Sequence, residues 1–189
     1  MQIDNDIEMC VKVLRNGGLI LYPTDTVWGI GCDTTNADAV AKIYALKNRN
    51  ESKSMIILVA EEDDIVDYVK RDRIPYFDFI KGINKPVTVI YNNAVNLPAN
   101  LINSDGSIGI RVVKDPFCQR LIKTFGKPVV STSSNISGYP PPLIFADIDV
   151  SIKNGVDYIV AYRQEETEPA EPSTVIKLND DDSFELIRP

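Results

Sequence analysis

Ile108-Gly109-Ile110-Arg111-Val112-Val113, then Asp115-Pro116, and after Gly126 the run Val129-Val130-Ser131-Thr132-Ser133-Ser134-Asn135-Ile136-Ser137-Gly138, is the stretch from which the fold is read. An apolar strand opens it. Asp115 can cap a helix with Pro116 at its first position, where a missing N–H costs nothing, and Cys118, Leu121, Ile122 and Phe125 recur at helical spacing. Gly126 suits a left-handed helix exit, Lys127-Pro128 breaks the chain direction, and β-branched residues begin a second strand. That strand stops in six hydroxyl or amide residues within positions 131–137, so it delivers hydrogen-bonding groups to a sheet end or a cleft.

The same alternation continues on both sides. Ile7, Cys10, Val11 and Leu14 predict a helix closed by Gly17-Gly18, and Leu19-Ile20-Leu21-Tyr22 predicts a buried strand interrupted by Pro23. The polar run Thr24-Asp25-Thr26 follows, and Val27-Trp28-Gly29-Ile30-Gly31 returns to apolar character. Thr35 or Asn36 can cap a second helix whose inner face holds Val40, Ile43 and Tyr44. The uninterrupted apolar run 55–59 predicts a central strand. Further along, 64–70 predicts a short helix, 76–80 a helical piece, 87–91 a strand and 92–105 a loop that is a candidate mobile rim. Strands are expected at 158–161 and 174–178, flanking an acidic, proline-containing loop at 164–172, with a turn at 179–182 before a last strand at 184–187. Helices alternating with strands, ahead of a strand-rich end, predict a three-layer α/β fold with a mixed twisted sheet. Neither an internal repeat nor a linker is visible, so residues 1–189 are expected to form a single domain.

Composition narrows the chemistry. With 27 acidic against 20 basic residues the net charge is -7, which opposes general nucleic-acid binding and would repel a nucleotide unless basic groups are segregated into a pocket. Cys10, Cys32 and Cys118 follow no ligand or disulfide spacing and are expected to be small buried residues. Histidine is absent, which removes Ser-His and Cys-His dyads and histidine metal motifs; carboxylates are left as the protein ligands for any magnesium, and no ligand set can be assigned. No apolar run is long enough to cross a bilayer and the first residues do not form a signal peptide, so a soluble cytoplasmic protein without membrane contact is expected.

Several residues stand out against that background. Lys47, Arg49 and Lys53 place three cations over seven positions at a helix end, where the helix dipole favours them as a solvated surface group or where they can form a phosphate clamp. Arg111 lies within an apolar strand, where an unpaired guanidinium would be costly. It can reach the sheet edge, pair with a structural carboxylate or grip an anionic substrate, and Arg188 has the same readings. Ser131, Ser133 and Ser134 lack a histidine to activate them and are better hydrogen-bond donors than nucleophiles. Gly29-Ile30-Gly31 carries neither a P-loop nor a dinucleotide fingerprint. Trp28 reads as core, and Asp25 either as a capping group or as an aid to a metal or to Thr24.

Taken together, these fragments resemble the YrdC/Sua5 family of threonylcarbamoyl-adenylate synthases. The matching parts are Gly17-Gly18-Leu19-Ile20-Leu21-Tyr22-Pro23-Thr24-Asp25-Thr26-Val27-Trp28-Gly29, the Lys47-x-Arg49 pair with Lys53, Ile108-Gly109-Ile110-Arg111, the 131–138 run, Ser173-Thr174-Val175-Ile176 and Leu186-Ile187-Arg188-Pro189. The ordered set spans nearly the whole chain. Ser54 stands where proline is usual, Ser134 where alanine is common, and Asn84-Lys85-Pro86 where Pro-Gly-Pro is more usual.

The resemblance implies a YrdC/RibB-like α/β fold with an open, positively charged cavity and a short form without an additional C-terminal domain. It implies an activity that joins L-threonine, bicarbonate or CO2, and ATP into threonylcarbamoyl-AMP and pyrophosphate, with Mg²⁺, for the N6-threonylcarbamoyladenosine (t6A) modification of tRNA. Transfer proteins would be transient partners, and stable tRNA binding by this subunit is not required. By the same resemblance, Lys47, Arg49, Lys53, Ser131, Ser133, Asn135 and Arg188 would bind ATP, while Thr24, Arg111 and Ser173 would bind threonine. Lys47, Arg49 and Arg111 would carry the catalysis. The competing expectation is a non-catalytic RNA-binding or ribosome-assembly module using the same concave basic surface.

Overall fold

The computed structural model describes residues 2–48, 55–71 and 85–189. Helix α1 (Gln2–Arg15) buries Ile7, Cys10, Val11 and Leu14, the stripe expected from their spacing, and adds the Asp6 carboxylate. The chain leaves it through Gly17 at φ 69, a left-handed angle that glycine adopts without a Cβ clash. Strands β1 (Ile20–Tyr22) and β2 (Gly29–Gly31) pair antiparallel across the 23–28 connection. Helix α2 (Ala37–Leu46) is capped by Asn36, whose side-chain oxygen accepts from the Ala39 N–H at 3.0 Å. Thr35 instead donates its hydroxyl to Asp33 at 2.7 Å.

Strands β3 (Ile56–Val59), β4 (Val87–Tyr91) and β5 (Ile108–Val112) lead to helix α3 (Pro116–Phe125). Asp115 caps α3 by accepting from the Cys118 N–H at 2.9 Å, and Gly126 closes it at φ 81. Strand β6 (Val129–Ser133), helix α4 (Val150–Asn154) and strands β7 (Tyr158–Ile159), β8 (Thr174–Leu178) and β9 (Phe184–Arg188) complete the described elements. They form one nine-stranded sheet in the order β7-β1-β2-β6-β3-β5-β4-β8-β9. The β1/β7, β3/β5 and β4/β8 pairs are parallel and the others antiparallel, so the sheet of this α/β fold is mixed, as expected. α1 packs on α3, and β3 sits between β6 and β5 with Ile57, Leu58 and Val59 fully buried, the central strand that its apolar run predicts.

Some details differ from the sequence expectations. The 64–70 helix is a 3-10 helix at Glu62–Asp67, and the 158–161 strand shortens to Tyr158–Ile159. Neither α4 nor the 3-10 turn at Phe145–Asp147 was expected, because elements of one turn are too short for an apolar period to show. The 92–105 connection is tied by backbone bonds from Lys70 N to Asn93 O, Val95 N to Tyr68 O and Ala94 N to Gly106 O, each 2.9 Å. The helical piece expected at 76–80 lies outside the described residues.

Register decides what the sheet presents. Gly29 lies opposite Ser133, Ile56 opposite both Ser131 and Gly109, Leu58 opposite Arg111, and Val175 opposite both Thr88 and Arg188. Opposed residues point the same way and alternate residues along a strand share a face. One face therefore carries Gly29, Ser131, Ser133, Ile56, Gly109, Arg111, Thr88 and Arg188 from six strands. The other carries Ile30, Val130, Ile57, Ile110 and Val89, all buried.

Candidate active site

The polar face opens into a cleft of about 270 Å³ whose lining includes Thr26, Gly29, Ile56, Arg111, Ser131, Ser133, Ser173 and Arg188. Small residues make it a cleft. A Cβ built on Gly29 would approach the Ser131 Oγ to 3.0 Å, so glycine keeps that hydroxyl's surroundings open.

Arg111 is 3% exposed. Its Nη1 donates to Thr26 Oγ1 at 2.9 Å and its Nη2 lies 3.3 Å from Asp25 Oδ1, so the pairing with a carboxylate occurs together with a place in the cleft. Nε of Arg111 has no hydrogen-bond partner among the described residues. A buried guanidinium N–H without an acceptor is a costly arrangement that an anion would relieve. Arg188 reaches the same cleft from β9 and donates through Nε and Nη2 to the Ser173 carbonyl at 3.0 and 2.8 Å. Burial first, then the charge of Arg111, pulls the Arg188 pKa below the usual guanidinium value. Two arginines that disfavour one another share a space with one carboxylate, and the excess positive charge fits an anionic ligand.

Hydroxyls complete the cleft. Ser131 and Ser133 extend from β6, while Ser173 Oγ lies 2.8 Å from Thr88 Oγ1 just before β8. Asn135 is held by its amide, which donates to the carbonyls of Tyr139 at 2.6 Å and Ile136 at 3.1 Å, and its Oδ1 accepts from Ser133 Oγ at 2.5 Å. Lys47 is 1% exposed, and its ammonium donates to the carbonyls of Ser133 and Asn135, the latter at 2.6 Å. It therefore lies behind the end of β6 and fixes the segment that carries the hydroxyls. Ser134 Oγ, in the same turn, is buried without a partner among the described residues.

Thr24 is similarly set back. Its Oγ1 donates to the Val27 carbonyl at 2.8 Å and accepts from the Thr26 N–H at 3.0 Å, shaping the loop while Thr26 lines the cleft. The structure thus gathers Arg111, Ser131, Ser133, Ser173 and Arg188 at the cleft wall and places Thr24, Lys47 and Asn135 in its support. Arg49 and Lys53 lie outside the described residues. Thr26 and the Asp25 pairing are additions, signalled in the sequence only by the polar run 24–26 between two apolar strands. Pro141 and Pro172 also line the cleft without having been singled out.

The described residues include no group of three or more potential carboxylate, thiol or imidazole metal ligands. Asp25, beside the cleft, already faces Arg111 and accepts from the Lys114 N–H at 3.2 Å. Among the described residues the donor set therefore does not fit a protein-held Mg²⁺, which would require carboxylate oxygens.

A family model named Sua5_yciO_yrdC and described as telomere recombination matches residues 12–189. A threonylcarbamoyl-AMP synthase of Methylococcus capsulatus is 35% identical over 136 residues, covering 71% of this chain and 73% of its own. One from Pseudoalteromonas translucida is 32% identical over 163 residues, covering 85% of this chain and 87% of its own. Among solved structures, P. abyssi Sua5 complexed with L-threonine superposes with a TM-score of 0.84 at 23% identity over 97% of this chain and 53% of its own. MTH1692 of Methanobacterium thermoautotrophicum superposes with a TM-score of 0.69 at 30% identity over 96% of this chain and 85% of its own. The chain spans about half the length of the P. abyssi protein. Among the described residues, no helix is long and apolar enough to cross a membrane.

Proposed function

Because the chain belongs to the Sua5/YciO/YrdC family, matched over residues 12–189, we propose that its cleft makes threonylcarbamoyl-AMP from L-threonine, bicarbonate or CO2, and ATP. The observation that carries this reading is that two arginines, the buried Arg111 and the more exposed Arg188 from the edge strand β9, face one space beside the Ser131 and Ser133 hydroxyls. That arrangement accommodates two anions, a carboxylate and a phosphate chain, without a protein nucleophile.

The threonine carboxylate pairs with Arg111 and satisfies its Nε, while Ser173 closes that end. The neutral threonine amine captures CO2 as a carbamate and releases a proton. A carbamate oxygen then forms a bond to the ATP α-phosphorus, the bond from that phosphorus to the bridging oxygen breaks, and pyrophosphate leaves with its electron pair. Ser131 and Ser133 donate to phosphate oxygens, and Arg188 stabilises the charge that accumulates there. Lys47 holds the Ser133 and Asn135 carbonyls and adds positive potential; Arg49 and Lys53 are assigned by family resemblance to the triphosphate. Mg²⁺ would enter with the triphosphate. Orientation supplies much of the rate in such a scheme, which explains how a chain without histidine can perform it. The product would be handed to proteins that modify tRNA.

The test is incubation of the purified protein with Mg²⁺, ATP, bicarbonate and L-threonine, followed by mass spectrometry for threonylcarbamoyl-AMP. Pyrophosphate is expected only when both threonine and bicarbonate are present. Release that is indifferent to either one overturns the reading.

A further inference from the structure

Arg163 is an arginine in a left-handed conformation, φ 67, where glycine would carry no side-chain clash. Its side chain is tied at three points. Nη1 donates to the Thr24 carbonyl at 3.1 Å and to Asp115 Oδ2 at 3.2 Å, and Nε donates to Glu166 Oε2 at 2.7 Å. Its backbone is also held in place. Asp6, buried in α1, accepts from the N–H groups of Ala161 at 3.1 Å and Tyr162 at 3.0 Å, just before Arg163, and from the Tyr158 hydroxyl at 2.6 Å.

The contacts continue inward to the cleft. The Thr24 whose carbonyl Arg163 holds organises Thr26 through its hydroxyl, and Thr26 Oγ1 receives Arg111 Nη1 at 2.9 Å. Asp25, between them, faces Arg111 Nη2 at 3.3 Å. Asp115, the other partner of Arg163, caps α3. One guanidinium therefore bridges the 24–26 loop, the start of α3 and the segment after β7.

We propose that Arg163 is a positioning residue for the amino-acid half of the site, fixing the 24–26 loop so that Arg111 is presented to the substrate carboxylate. This inference rests on the threonine assignment above, but its first readout does not. Arg163 does not line the cleft, so removing it should disturb the carboxylate end and spare the nucleotide end.

The experiment uses the full chain with Arg163→Gly, which removes the guanidinium and suits the left-handed backbone. The Nε–H resonance of Arg111, identified in nitrogen-15 spectra by its loss in Arg111→Lys, should exchange with water markedly faster in the variant. The threonine KM should rise about tenfold, a change of about 1.4 kcal/mol, with the ATP KM within about twofold. Arg163→Lys keeps a cation near Asp115 without the fork and should fall midway; it decides the matter alone if the glycine variant misfolds. An Arg111 resonance with wild-type exchange, or equal increases in both KM values, overturns the proposal. If the wild-type protein makes no threonylcarbamoyl-AMP, the functional reading falls while the resonance still decides whether Arg163 positions Arg111.

Discussion

A buried guanidinium is informative because so few arrangements can pay its desolvation, and Arg111 combines an ion pair, one hydroxyl acceptor and one unused donor. Arg111→Ala would confound two effects, since it would remove the substrate contact and also leave the half-buried Asp25 carboxylate without its counter-charge. Thr26→Val is the cleaner probe. It keeps the shape of the side chain while removing the acceptor for Nη1 and the Thr24 hydroxyl contact at 3.0 Å. Loss of a hydrogen bond to a charged group predicts a loss of about 1.5–3 kcal/mol, read as a threonine KM raised at least tenfold with a smaller change for ATP. Unchanged threonine kinetics would remove Thr26 from the chain of contacts. Arg111 was legible in the sequence because a cation in an apolar strand conflicts with its neighbours. Thr26 was not, because its role depends on a contact 85 residues away that a polar loop does not announce. Lys47 was visible as a cation near a helix end, but the sequence could not show that its ammonium turns toward the carbonyls of the β6 end.

Among the elements, α3 was the most legible, since its cap, its initial proline, its apolar stripe and its terminal glycine all point to the same boundaries. Its cap also has a second role that local reasoning missed: Asp115 presents Oδ1 to the Cys118 N–H and Oδ2 to Arg163 Nη1. The two roles can be separated by substitution. Asp115→Asn retains a capping oxygen but gives up the ion pair, whereas Asp115→Ala loses both; the alanine variant should be less stable than the asparagine variant by about 1 kcal/mol. Urea midpoints at constant slope measure that difference, and equal midpoints would show that the cap contributes nothing. Short elements were the least legible. The α4 helix and the Phe145–Asp147 turn contain too few residues to reveal a period, and β2 is a three-residue, glycine-flanked strand, Gly29–Gly31, too short to show an alternation and placed only by its partners on both sides.

At the scale of the molecule, the sheet joins the two halves of the site: the 24–26 loop beside β1 and β2, and Ser173 and Arg188 around β8 and β9 on the far side. The order of strands could not be read from a single sequence, because apolar runs identify strands but not their neighbours. Cleft formation and global stability are consequently linked. The thiols report on that whole. Cys10, Cys32 and Cys118 are all free and buried, and burial pushes each thiol pKa up by disfavouring the thiolate. The Tyr22 and Tyr158 phenols are shifted in the same direction, first by burial. In the unfolded chain these groups ionise near their ordinary values, about 8.5 for cysteine and about 10 for tyrosine. Between those values and the raised folded ones, the folded state binds more protons than the unfolded state, so stability must fall as pH rises. Their contribution is fully present below about pH 8 and declines above about pH 9, by up to about 1.4 kcal/mol per pH unit for each fully buried group and by less for Tyr158, whose partial exposure lets solvent screen it. Urea midpoints from pH 7 to 10.5 test the trend, with a thiol-reactive dye as an independent probe. No thiol should react rapidly with the dye at pH 8 in the native protein and all three should react in denaturant, whereas a rapidly reacting native thiol, or a urea midpoint that rises above pH 9, would contradict the burial of these side chains.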